Sequence, residues 1–261
     1  MATQNVVLVD KTGTIKQSDL VAVAAAVTIQ VNRDLKQYWP VDALVTALPR
    51  HATVPAAAWP VYIGADLPPG LIGVHLTDHG TPYTYVEMGH AWPLTTSHEV
   101  CEMLVDPTLH RTIAAPAIRV VNGVVQDAPG TFNYLVEICD PSGSPDHGYV
   151  INNVPVSDFC TPRFFDAAPS AGARYSFTKA LKAPRRVLRD GYMIWHDPVR
   201  DIDQQVDWVN YPVPTIVTLD LGLLEKQLSR EHVDAHMGTS KTISATHRDH
   251  PLLKRARGEA H

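Results

Sequence analysis

The chain has 261 residues, 45% hydrophobic and 19% charged, with a formal net charge of -5. That is the balance of a globular protein able to bury a core in one large domain or two small ones. The charge gives no support for a nucleic-acid binder, which needs basic surface to neutralise phosphates. No apolar run is long enough to span a bilayer, and the first residues lack the basic start and apolar core of a signal peptide, so a soluble, cytoplasmic protein with no membrane partner is expected.

Cys101, Cys139 and Cys160 are too few and too widely spaced for a disulfide framework or a C-x-x-C zinc site. Three buried thiols are expected, with a Cys139–Cys160 bridge as the alternative in an oxidising space. The 21 prolines argue for many short elements rather than a helical bundle.

In chain order, the β-branched run over 5–9 followed by Asp10-Lys11-Thr12-Gly13 reads as a strand and a turn. Ser18 is a candidate N-cap, and Leu20, Val23, Ala24, Val27, Val31 and Leu35 then recur at helical spacing, predicting a long helix that backs a sheet. Residues 41–48, 59–63, 71–76 and 81–88 read as four further strands. Pro82 suits the last of these to an edge position, because proline cannot donate to a ladder. A short helix follows over 95–107, stopped by Asp106-Pro107. Strand, helix, several strands and a second helix predict an α+β domain with a mixed sheet.

Beyond Pro107, Asn122-Gly123 predicts a hairpin turn within 117–125. The run 132–141 reads as an apolar strand that carries two acids, and 149–156 as a second hairpin turning at Asn152-Asn153. The stretch 166–220 resists assignment, 221–236 is a helix candidate, and the tail from 238 is polar and locally basic. The expected organisation is a core over 1–165, an irregular β-rich C-terminal part packed on it over 166–237, and a polar tail over 238–261.

The chemistry concentrates in the short helix. His98 and Glu102 are four apart and project from one helical face, so both can reach one cation, while Glu99 sits about 100° round and can hold a water beside it. This is the geometry of H-E-x-x-H with the second His replaced by Glu102. A hydrolytic zinc site needs three protein ligands, an open position for water and a nearby base. The third ligand is sought in Glu137-Ile138-Cys139-Asp140, since two carboxylates in an apolar run are costly to bury without a cation. Glu137 is preferred and Asp140 is its rival, because both face inward only if the strand ends between them. The competing account is a capping box, Thr96 as N-cap and Glu99 three residues on. His75, His79, His90, His110, His147 and His196 remain further candidate ligands or proton donors.

A backing helix, a sheet ending before Trp92 and a helix bearing His98-Glu99-x-x-Glu102 resemble the catalytic half of zincin metallopeptidases. Ser97-His98-Glu99-x-x-Glu102 with Asp106-Pro107, and later Glu137-Ile138-x-Asp140, resembles uncharacterised bacterial and phage proteins of an H-E-x-x-E variant and, more distantly, exordium-like plant proteins. The likeness covers roughly residues 70–165. It implies a zincin-like fold and a zinc-dependent metallopeptidase acting on a peptide or protein, with His98 and Glu102 as ligands, Glu137 or Asp140 as a downstream acid and Glu99 as general base toward metal-bound water. Two carboxylates lower the Lewis acidity of the ion and make Mn²⁺ or Ca²⁺ alternatives to Zn²⁺. The rival from another class is a non-catalytic, virion-associated or assembly protein that uses the same residues for a structural ion or a buried polar network.

Overall fold

The computed structural model describes residues 3–64, 67 and 72–219. The helix expected over 221–236 and the polar tail lie outside the described residues. The order is β1 (Gln4–Asp10), α1 (Gln17–Ile29), β2 (Ala43–Ala47), β3 (Trp59–Ile63), β4 (Gly73–Asp78), β5 (Thr81–Val86), α2 (Trp92–Val105), β6 (Thr112–Val121), β7 (Val124–Leu135), β8 (Tyr149–Ile151), β9 (Val154–Val156), β10 (Tyr192–Asp197), β11 (Ile202–Asp207) and β12 (Thr215–Leu219). The fold is α+β, with two α-helices and mostly strands among the described residues.

The first sheet has the order β2-β1-β3-β5-β4. Its first four strands run parallel, while β4 pairs antiparallel with β5 and forms one edge. The edge position expected for 81–88 therefore belongs to β4. Pro82 is tolerated inside the sheet because it lies beyond the stretch of β5 that pairs with β3, which covers only Thr84 to Val86. The antiparallel turn before it is made by His79 and Gly80, both at positive φ.

Helix α1 packs its stripe of Leu20, Val23, Ala24 and Val27 on the sheet. It starts at Gln17, one residue before the expected cap, and Lys16 makes no side-chain capping bond. A wider π-type turn at Gln30–Asp34 and a 3-10 turn at Leu35–Gln37 carry the chain to Trp39, whose indole N–H donates to the Cys160 carbonyl at 2.8 Å.

Helix α2 begins at Trp92, earlier than expected, with Pro93 in its first turn where a missing N–H costs nothing. Thr96 and Glu99 are thus interior to the helix and cannot form a capping box. Every residue from Leu94 to Val105 is buried, because α2 lies between the first sheet and the β8–β9 hairpin. Gln30, Ser97 and Ser157 lock it in place: Ser97 donates to Gln30 Oε1 at 2.9 Å, Gln30 donates to the Ser157 carbonyl at 2.8 Å, and Ser157 N–H donates to Ser97 Oγ at 2.8 Å.

A second sheet has the order β12-β11-β10-β7-β6. Its β6–β7 hairpin turns at Asn122 and Gly123, with φ of 52° and 72°, the doubly left-handed pair that matches strand twist. Asn152 and Asn153 make the same kind of turn between β8 and β9, at 49° and 64°. The stretch after 166 is less irregular than expected, since β10, β11 and β12 form a meander that joins β7 through Trp195 opposite Tyr134. Trp195 is almost fully buried and stacks on Phe132 at 5.3 Å between centroids. All three cysteines are free and buried, so no Cys139–Cys160 bridge is formed.

Candidate metal centre

Three elements meet at the candidate site: the edge strand β4, helix α2, and the chain after β7. Strand β7 ends at Leu135, before either acid of the Glu137-to-Asp140 run. Residues 136–139 then follow an irregular path, held by Val136 N–H on the Arg111 carbonyl at 2.9 Å and by the Ile138 carbonyl, which accepts from Cys160 N–H at 2.6 Å. Freed from strand alternation, Glu137 and Asp140 both turn toward α2. Cys139 N–H donates to Glu102 Oε1 at 3.0 Å and stitches this segment to the helix.

His98 Nε2 stands 3.2 Å from Glu102 Oε2 and 3.1 Å from Asp140 Oδ1. One ring nitrogen carries at most one proton and cannot donate linearly to two carboxylates at once. Ligands about 2.1 Å from a small divalent ion stand roughly 3.0–3.4 Å apart, so the same spacing suits a cation between them. His98, Glu102 and Asp140 accordingly form one group of donors close enough to hold an ion. Asp140, the rival at the level of sequence, enters this group, whereas Glu137 does not.

Glu137 lies instead against His75, with its Oε2 3.9 Å from His75 Nδ1. Glu99 Oε2 is 3.7 Å from the same nitrogen. His75, Glu99 and Glu102 form a second donor group, so Glu102 belongs to both. His75 is fixed from the other side, because its Nε2 meets the backbone carbonyl of Asp106 at 3.2 Å. A carbonyl only accepts, so Nε2 carries the proton and Nδ1 faces the carboxylates.

The electrostatics follow from this crowding. Burial opposes the charged form of His98, but the Glu102 carboxylate and then Asp140 outweigh it and hold the imidazole well above its ordinary value. Burial likewise opposes ionisation of Glu102, yet the charge of His98 and its hydrogen bond bring that carboxyl down to about 2. Burial pushes Glu137 well above the usual carboxylate range, and the charges of Glu102, Asp140, Asp106 and Glu99 add to it. Glu99 is raised by burial against the pull of His75. No Lys or Arg forms an ion pair with Glu99, Glu102 or Glu137 among the described residues.

Of the other histidines, His79 is fully exposed beside Asp78, and His196 bonds Asp203 at 3.0 Å on the second sheet. His75 is the one that reaches the cluster. Its signal in the sequence was faint: a His in a short strand, whose burial depends on which strand takes the edge.

No helix among the described residues is long and apolar enough to cross a membrane. Comparison of the chain with protein-family models, with curated proteins and with solved structures finds no match.

Proposed function

We propose that the chain is a metal-dependent hydrolase of zincin-like architecture, acting on an extended peptide. The observation that carries the reading is the convergence of His98, Glu102 and Asp140 donors at coordination spacing beside an edge strand. It is supported by the element order, in which a backing helix, a mixed sheet and a motif helix directly after the last sheet strand resemble the zincin arrangement. A divalent cation held there, Zn²⁺ or the harder Mn²⁺ or Ca²⁺, would supply Lewis acidity and lower the pKa of a bound water. Glu99 contributes the proton acceptor, since it projects from the same helix toward β4 and burial raises its affinity for protons. The outer side of β4, which no strand covers among the described residues, offers main-chain groups for a substrate strand.

The second reading is a structural ion in a non-catalytic protein, and the burial of the donors favours it: Glu102 and Asp140 are 3% and 2% exposed. One pair of measurements separates the two. Protein loaded with Zn²⁺ or Mn²⁺ that cleaves a peptide library, with cleavage lost in Glu99→Gln and the ion at His98, Glu102 and Asp140 retained, supports the hydrolase. A large drop in melting temperature on chelation, with no cleavage under any metal, supports the structural ion.

A further inference from the structure

We propose that the centre is dinuclear: His98, Glu102 and Asp140 hold one divalent cation, and His75, Glu99 and Glu102 hold a second, with Glu102 shared between them. The inference rests on the metal-centre reading above and deepens it.

The geometry carries it first. The two donor groups are separate triads whose members lie close enough to surround an ion, and they meet only at Glu102. A carboxylate shared by two cations is the usual bridge in two-metal sites, where the ions stand about 3.5–4 Å apart. His75 supplies the second, independent observation. It is only 3% exposed, its Nε2 proton is committed to the Asp106 carbonyl, and its Nδ1 has carboxylate oxygens at 3.7 and 3.9 Å, beyond hydrogen-bond reach. That nitrogen therefore faces two carboxylates at a spacing too long for a hydrogen bond, which a cation between them would turn into coordination. Glu137 Oε1, buried and without a hydrogen-bond partner, borders the same space.

Four carboxylates, those of Glu99, Glu102, Glu137 and Asp140, crowd the His75 and His98 imidazoles, and no Lys or Arg forms an ion pair with Glu99, Glu102 or Glu137 among the described residues. Asp106 is outside this count, because its carboxylate oxygens accept the backbone N–H groups of His110 and Arg111. With the second ion in place Glu99 would serve as a ligand, in place of the general-base role it has at a mononuclear centre.

The test is stoichiometry on the full chain. The protein is titrated with Zn²⁺ and separately with Mn²⁺, followed by calorimetry and by elemental analysis after dialysis. Two ions per wild-type chain are expected, falling to one in His75→Gln and to one in Asp140→Asn, with circular dichroism confirming the fold. The Mn²⁺-loaded wild type provides a readout that needs no variant: an exchange-coupled paramagnetic resonance spectrum rather than the hyperfine pattern of isolated ions. One ion per wild-type chain, lost in Asp140→Asn and kept in His75→Gln, overturns the dinuclear centre and leaves the mononuclear hydrolase standing. Two ions that both survive His75→Gln, or an uncoupled Mn²⁺ spectrum, also overturn it. A wild type that binds neither metal overturns this inference and the proposed function together.

Discussion

Gly73 at the start of β4 sits directly over Glu99, and replacing it with alanine tests how tightly the edge strand closes on the motif helix. A Cβ there would lie 2.5 Å from Glu99 Oε1, 2.6 Å from Thr95 Cγ2 and 2.9 Å from Glu99 Cγ. Ordinary contacts begin near ~3.5 Å, so the overlap approaches an ångström on both neighbours. Overpacking of this kind costs about 1–3 kcal/mol. At roughly 2–4 °C per kcal/mol for a chain of this size, the melting temperature should fall by about 2–12 °C. Gly89→Ala is the control, because its Cβ would meet nothing within 4 Å, and it should be neutral or stabilising by up to ~1 kcal/mol. The assay is urea unfolding of Gly73→Ala, Gly89→Ala and the double variant Gly73→Ala/Thr95→Ser, which removes the Thr95 methyl and should recover part of the loss. If Gly73→Ala unfolds at the same midpoint as Gly89→Ala, β4 does not press on α2 and Glu99 is not held beneath the edge strand.

Zn²⁺ at a hundred times its dissociation constant should stabilise the protein by about 2.7 kcal/mol per site, read as a rise in melting temperature that chelator reverses and Asp140→Asn reduces. An unchanged melt in both would remove the metal centre. Gly123→Ala should destabilise the β6–β7 hairpin by about 1 kcal/mol in equilibrium unfolding, since Gly123 has φ of 72° and its Cβ would crowd Val213 at 3.1 Å. Trp195→Ala should cost about 3–5 kcal/mol, because the indole is 1% exposed and joins the two halves of the second sheet. Asp127 is lowered from its ordinary value, with Arg186 and Arg185 outweighing burial. Its contribution to stability is therefore present above the unfolded carboxylate pKa and lost as pH falls through the lowered folded value. Asp127→Asn should flatten the acid limb of a stability-against-pH curve, and an identical limb in the variant would count against the pair.

Local patterns carried much of this protein in its sequence. The stripe from Leu20 to Leu35 is helical because spacing alone puts those residues on one face. Asn122-Gly123 and Asn152-Asn153 turn because those residues accept positive φ. His98 and Glu102 share a helical face by the same short-range geometry. None of these depends on a distant partner.

What the tertiary structure decided lies where a partner is remote. Nothing local distinguishes β5 from β4 as the edge, and only that choice brings His75 to Glu99. The ladder of β7 stops at Leu135 because the chain leaves to pass over α2, and that departure selects Asp140 over Glu137 as the partner of His98. The strands after 166 gave no alternation to read, since β10 is almost wholly buried and β11 buries Gln204, Gln205 and Asp207 among its neighbours. A single sequence records which residues can serve a helix, a turn or a ligand pair. Which of them meet at long range, as His75 meets Glu99 and as His98 meets Asp140 across 42 positions, is set by the sheet order and by the irregular path that follows it.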